Sequence, residues 1–230
     1  MKYIYLIVFL ILGSNLTSQI NTPKYSNEFL NIGVGARSLA MSNSVITSTN
    51  SAMSAYLNPA NLIKNENDIQ IGLMHAEYFA GIAKYDFGSI AKRIDYKSSF
   101  GFSFLRFGVD NIPNTSELID AQGNVNYDRV SYFSAADLAF IGSYARKLNR
   151  YLSVGGSAKV INRKAGDFAS AWGFGIDLSS TYIKNDWSFA LVAKDITSTF
   201  NVWKYQLSNE MISTFTVSYT HLRAHETRIH

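Results

Sequence analysis

Few residues in this chain are of a type that does chemistry, and their spacing decides what they could do. Outside the last ten residues the sole histidine is His75, in phase with Ile69, Ile71 and Leu73. Strand side chains alternate with period two, so His75 falls on an apolar face near a strand end. That position suits an interfacial side chain better than a general base. The carboxylates Asp137 and Asp177 and the amine of Lys159 fall on the opposite, small and polar face of their strands. A carboxylate pair is an acid–base candidate, but these two lie on different strands; they could pair with Lys159, and a solvated charge is the simpler expectation. Serine is abundant, yet no Gly-x-Ser-x-Gly nucleophile motif occurs. Gly33-Val34-Gly35 lacks the third glycine and the strand–helix context of a dinucleotide loop. His221 and His225 are spaced i, i+4, which would suit a metal on a helix. They lie in a tail that reads as foreign. No catalytic residue, metal site or cofactor is expected.

The elements that carry these residues are strands. In 171–182, Trp172, Phe174, Ile176, Leu178 and Tyr182 share one face, and Gly173, Gly175, Asp177, Ser179 and Thr181 the other. Similar alternation predicts strands at 68–78, 82–93, 98–108, 135–147, 151–163, 170–183, 187–195 and, most weakly, 210–217. Links at 93–97, 148–150 and 184–186 are tight and polar. Those at 109–134 and 196–209 are long, with 164–169 intermediate and 78–81 short. Pro113 is the last of three prolines, and proline is excluded from the interior of a paired sheet. It is placed in the long link.

Tight turns on one end and long links on the other are the mark of an outer-membrane barrel. Strands of this length match the roughly 9–11 tilted residues that cross a bilayer. Tyr85, Tyr144, Tyr151, Trp172, Tyr182 and Trp187 lie near strand ends, where interfacial aromatic girdles sit. The fold class expected is all-β, an antiparallel transmembrane β-barrel of about eight visible strands. A soluble antiparallel sandwich is the alternative, since its strands alternate too.

The chain's ends and composition agree with export. Lys2, the apolar run Tyr3–Leu12 and the small polar residues after it read as a signal peptide over 1–18. Ten apolar residues are too few for a spanning helix. There is no cysteine, which excludes a disulfide framework and thiolate metal sites. The net charge of +4 is small and scattered, and nucleic-acid surfaces need clustered cations. Residues 217–230 resemble a translated adapter tail and are read as non-native. The barrel strands then occupy 67–216, incompletely.

Residues 19–66 are different: rich in Ser, Asn and Ala, with Pro23 and Pro59. Phe29-Leu30-Asn31-Ile32-Gly33-Val34-Gly35-Ala36-Arg37-Ser38-Leu39, followed by a small-residue stretch and Asn58-Pro59-Ala60, resembles the PorV/PorQ family of Bacteroidetes outer-membrane proteins. The match covers about 40 residues; Asn61 stands where the family usually has glycine, and Ser51 and Leu57 also depart from it. The resemblance implies a FadL-like barrel of about fourteen strands, of which this chain would hold about eight. Residues 19–66 would be an N-terminal plug. Gly33, Gly35, Arg37, Asn58 and Pro59 would be its structural motif, and Asp137, Lys159 and Asp177 would line the lumen. It also implies a non-enzymatic role in type IX protein secretion, as a cargo carrier or docking partner acting through the loops 109–134 and 196–209. Expected partners are outer-membrane lipid, secreted cargo and other secretion components. The alternative is a FadL-like transporter with a hydrophobic small-molecule ligand. A fragment with two open sheet edges is expected to aggregate when expressed alone.

Overall fold

The computed structural model describes residues 27–115, 118, 125–197 and 200–206. The expected signal peptide, the strand at 210–217 and the tail at 217–230 lie outside the described residues. The fold is mainly antiparallel β: among the described residues eight strands form one sheet that curls through about half a barrel. In chain order they are β1 (Ile69–Tyr78), β2 (Ala83–Arg93), β3 (Ser98–Asn114), β4 (Ser131–Lys147), β5 (Leu152–Ala165), β6 (Ala169–Lys184), β7 (Trp187–Ala193) and β8 (Phe200–Tyr205). Each strand from β1 to β7 pairs with the next. This up-and-down meander needs only local connections, and the clean period-two pattern fixes its register, because a one-residue slip would turn every side chain to the wrong face.

Two predicted links contain strand. β3 runs on to Asn114 and β4 starts at Ser131, so the connection is 115–130 rather than 109–134. The register shifts between Val109 and Ile112, with Asn111 at φ 57°. This bulge breaks the alternation there, which hides the strand from a pattern search. Pro113 lies inside β3, paired with Tyr132. β2 begins only at Ala83, opposite Val109, so β3 has a free side beyond that point and tolerates a proline there.

The expected link 196–209 likewise contains β8. Strands β7 and β8 pair with successive stretches of β6. Ala193 pairs with Leu178 and Phe200 with Phe174, so the pairing breaks across 175–177 of β6. Asp195, at φ 52°, marks the break.

The two faces of the sheet are unlike. The outer face carries Ile69, Ile71, Leu73, Phe100, Phe102, Tyr144, Trp172, Phe174, Leu178 and Trp187, all exposed. The inner face is covered by residues 27–66, a chain of short helical turns at Glu28–Asn31, Ala36–Ala40, Ser54–Leu57 and Pro59–Lys64. Of the six expected girdle aromatics, five are exposed. Tyr85 is the exception: it lies on the inner face, fully buried, edge-on to Tyr78 and Phe107. Its odd-numbered place beside Phe87 puts it there; position near a strand end did not reveal the face.

Candidate functional site

The inner face is built from small residues so that another backbone can lie on it. Ser89, Ser103, Ser143, Ser157, Ser179 and Thr181 are buried there. A Cβ at Gly101 would come within 2.6 Å of Ala55 Cβ, and one at Gly155 would overlap the Pro59–Ala60 backbone. Glycine is required at both places because the segment above touches the strand itself.

Hydroxyls along this face meet the polar backbone of the segment. Ser89 Oγ donates to Ala52 O at 2.8 Å and Ser143 Oγ to Ala55 O at 2.6 Å. The N–H of Ala60 donates to Ser179 Oγ at 2.9 Å and to Asn58 Oδ1 at 3.1 Å. Asn58 Nδ2 donates to Ile46 O at 2.7 Å and Thr181 Oγ1 at 3.0 Å, while Thr181 donates to Asn61 Oδ1 at 2.9 Å. Asn61 in turn donates to Ile46 O and Thr49 Oγ1. Asn58, Asn61 and Thr181 are fully buried, and buried amides are tolerated only when so paired. The local sequence prepares this. Pro59 pushes Asn58 to an extended conformation, φ −157° and ψ 95°, and opens the following turn.

Gly33 and Gly35 sit at φ 93° and 86°, values that favour glycine. At Gly33 a side chain would also collide with Asn43. They bend the chain so that Phe29, Leu30 and Val34 enter an apolar cluster with Tyr56, Leu57, Tyr85, Phe87, Leu105 and Ile161. The Tyr56 hydroxyl donates to Leu30 O. Burial pushes that phenol well above its ordinary range. Arg37 is exposed on its own helix, apart from these residues.

Charges on the inner face are paired. Lys159, 2% exposed, lies 2.8 Å from Asp177 and 2.7 Å from Asp195. The expected solvated lysine is instead a buried ion cluster, and the N–H of Asp195 also donates to Asp177 at 2.8 Å. Asp137 is not with Lys159; it accepts two 2.8 Å hydrogen bonds from Arg163, opposite it on β5. That guanidinium lies over the rings of Phe29 and Trp203.

Arg163 and Asp195 were not among the expected residues. Arg163 was readable, being in phase with Lys159. Asp195 was not, because the break in the strand aims it inward. A cavity of about 440 Å³ remains between the segment and β7, lined by Leu30, Ile46, Tyr56, Leu57, Val192 and Lys194.

His75 faces outward, with Nδ1 2.6 Å from Asp86 and Nε2 3.6 Å from Glu77. Among the described residues no group of three or more His, Asp or Glu side chains is arranged to hold a metal ion.

The class defined by these residues is an antiparallel, curled all-β sheet whose inner face holds a folded segment. No family model matches the chain, and no curated protein matches it.

Proposed function

We propose that the chain is part of an outer-membrane β-barrel of the PorV/PorQ type, non-enzymatic, with residues 19–66 as its plug. One observation carries this: the large apolar side chains are exposed on the outer face, and the hydroxyls and ion pairs are buried on the inner one. Such a sheet suits a hydrocarbon solvent outside and a filled interior. The signal-like start and the plug motif support the same reading.

A plug seated on glycines and held by buried hydrogen bonds favours a barrel that works through its surface rather than as an open pore. The role we assign is docking of secreted cargo in type IX secretion, through the connections at the long-link end, chiefly 115–130. The test is to delete the gene in its outer-membrane-bearing host. Surface-attached secreted proteins should fall and accumulate in the periplasm. Normal surface display would reject the role.

The alternative is a FadL-like transporter of hydrophobic small molecules, and the cavity lined by Leu30, Ile46, Tyr56 and Leu57 favours it. Mass spectrometry of the detergent-solubilised protein separates the two: a retained fatty acid or similar ligand, with secretion intact on deletion, would select transport.

A further inference from the structure

The two ends of the outer face carry charge differently. At the tight-turn end three strands finish with an apolar side chain and then a cation two residues on, hence on the same face. These are Ile90 then Lys92 on β2, Tyr144 then Arg146 on β4, and Tyr182 then Lys184 on β6. The turns add Lys97, 5.1 Å over the ring of Tyr96, and Arg150, 5.7 Å over that of Tyr151. All five cations are exposed. None forms an ion pair among the described residues, whereas at the other end of the outer face Lys84, Arg106 and Lys164 do and Lys204 does not. The acids of the tight turns are Asp95 and Asp186, and Asp95 is engaged in capping the N–H of Lys97.

Lysine and arginine placed just past an apolar band lay their stems along it and reach their heads beyond. Lys92, Arg146 and Lys184 stand on alternate strands, Arg146 two residues further out than Lys92 in the register and Lys184 four further than Arg146, so neighbours are about 12 and about 16 Å apart. An apolar band edged by aromatics, with free cations one step further out, matches one kind of surface. That surface has hydrocarbon below a plane of phosphates. A nucleic acid or an acidic protein would leave the apolar band uncovered.

We infer that this rim binds the headgroup phosphates of an anionic phospholipid leaflet and sets the depth at which the sheet sits. The inference rests on the bilayer reading above.

The test uses the full chain refolded in detergent. Native mass spectrometry counts retained phosphatidylglycerol against phosphatidylcholine, and flotation on pure phosphatidylcholine vesicles is run in parallel. Wild type should prefer phosphatidylglycerol by roughly tenfold, and the preference should fall with salt. A Lys92→Gln/Arg146→Gln/Lys184→Gln variant should lose it. A Lys84→Gln/Lys164→Gln/Lys204→Gln variant, altered at the other end, should keep it. Flotation without any preference, a preference insensitive to salt, or an unchanged preference in the rim variant would overturn the rim and leave the bilayer reading standing. Failure to float would overturn the bilayer reading, and the rim with it. The salt series needs wild type alone, so a rim variant that does not fold leaves the question decidable.

Discussion

On β6, Trp172, Phe174 and Leu178 are 60%, 48% and 52% exposed, while their neighbours Asp177, Ser179 and Thr181 are 7%, 7% and 2% exposed. A sheet in water arranges these types the other way round, burying its large apolar side chains and solvating its hydroxyls. The exposed apolar face runs across the strands from β1 to β7 and is far more continuous than scattered surface leucines. The inner face, meanwhile, is not a greasy core. It is a bed of glycine, serine and threonine, with one apolar cluster where Phe29 to Val34 enter and a smaller one of Ala52, Ala55, Leu62, Ala91 and Ala145. The difference teaches that stability on the inner face comes from fit and from satisfied polar groups. On the outer face it must come from the solvent.

That difference is open to attack. The largest effect should come from Lys159→Met, which leaves Asp177 and Asp195 facing each other without their cation. Removing one partner of a buried ion cluster costs about 3–5 kcal/mol. The outer-face pair of Arg106 and Asp86 is partly exposed, and Arg106→Met should cost about 1 kcal/mol or less. Urea unfolding in detergent micelles checks both, and equal losses would erase the distinction between the faces.

Next in size is Phe174→Arg on the apolar band. In vesicles it should cost about 2–4 kcal/mol; a sheet standing in water would gain solubility from it and lose little stability.

Glycine sharpens the comparison at the level of a single methyl. Gly155→Ala drives a Cβ into the backbone of Pro59–Ala60, whereas a Cβ at Gly142 meets nothing within 4 Å. The first should cost about 1–3 kcal/mol and speed proteolysis of residues 51–66. The second should stay within about 0.5 kcal/mol of wild type.

The last effect concerns Tyr56. Losing its hydroxyl leaves Leu30 O unpaired, so Tyr56→Phe should cost about 1–2 kcal/mol. Because the folded phenol is raised above its ordinary 10.0, its contribution is complete below that pH. It is lost as pH rises beyond, since the unfolded chain ionises first. Wild type should therefore lose its advantage over Tyr56→Phe above pH 10.0, measured by unfolding the two side by side.

Sequence alone exposed the parts of this design that repeat. Alternation in Trp172 to Tyr182 defined a strand and its two faces, and Pro59 and the paired glycines marked where the chain must turn. What it hid is non-periodic. The bulge at Asn111 concealed the ends of β3 and β4. The break in pairing after Ala193 concealed β8 and the inward aim of Asp195. Tyr85 read as an interfacial aromatic because nothing in one strand says which of its faces a distant segment covers. For the same reason the pairing of Asn58 and Asn61 with Thr181, about 120 residues away, required the folded chain.

The central claim is that the outer face meets hydrocarbon and the inner face does not. The tryptophans test it directly, because Trp172 and Trp187 stand on the outer face, and Trp203, 39% exposed, is on the inner face against Arg163. Single-tryptophan forms would be refolded into vesicles containing lipids brominated along their acyl chains, and fluorescence quenching measured. Strong quenching of Trp172 and Trp187 with little of Trp203 is the predicted result. Equal quenching of all three, or none of any, would contradict it.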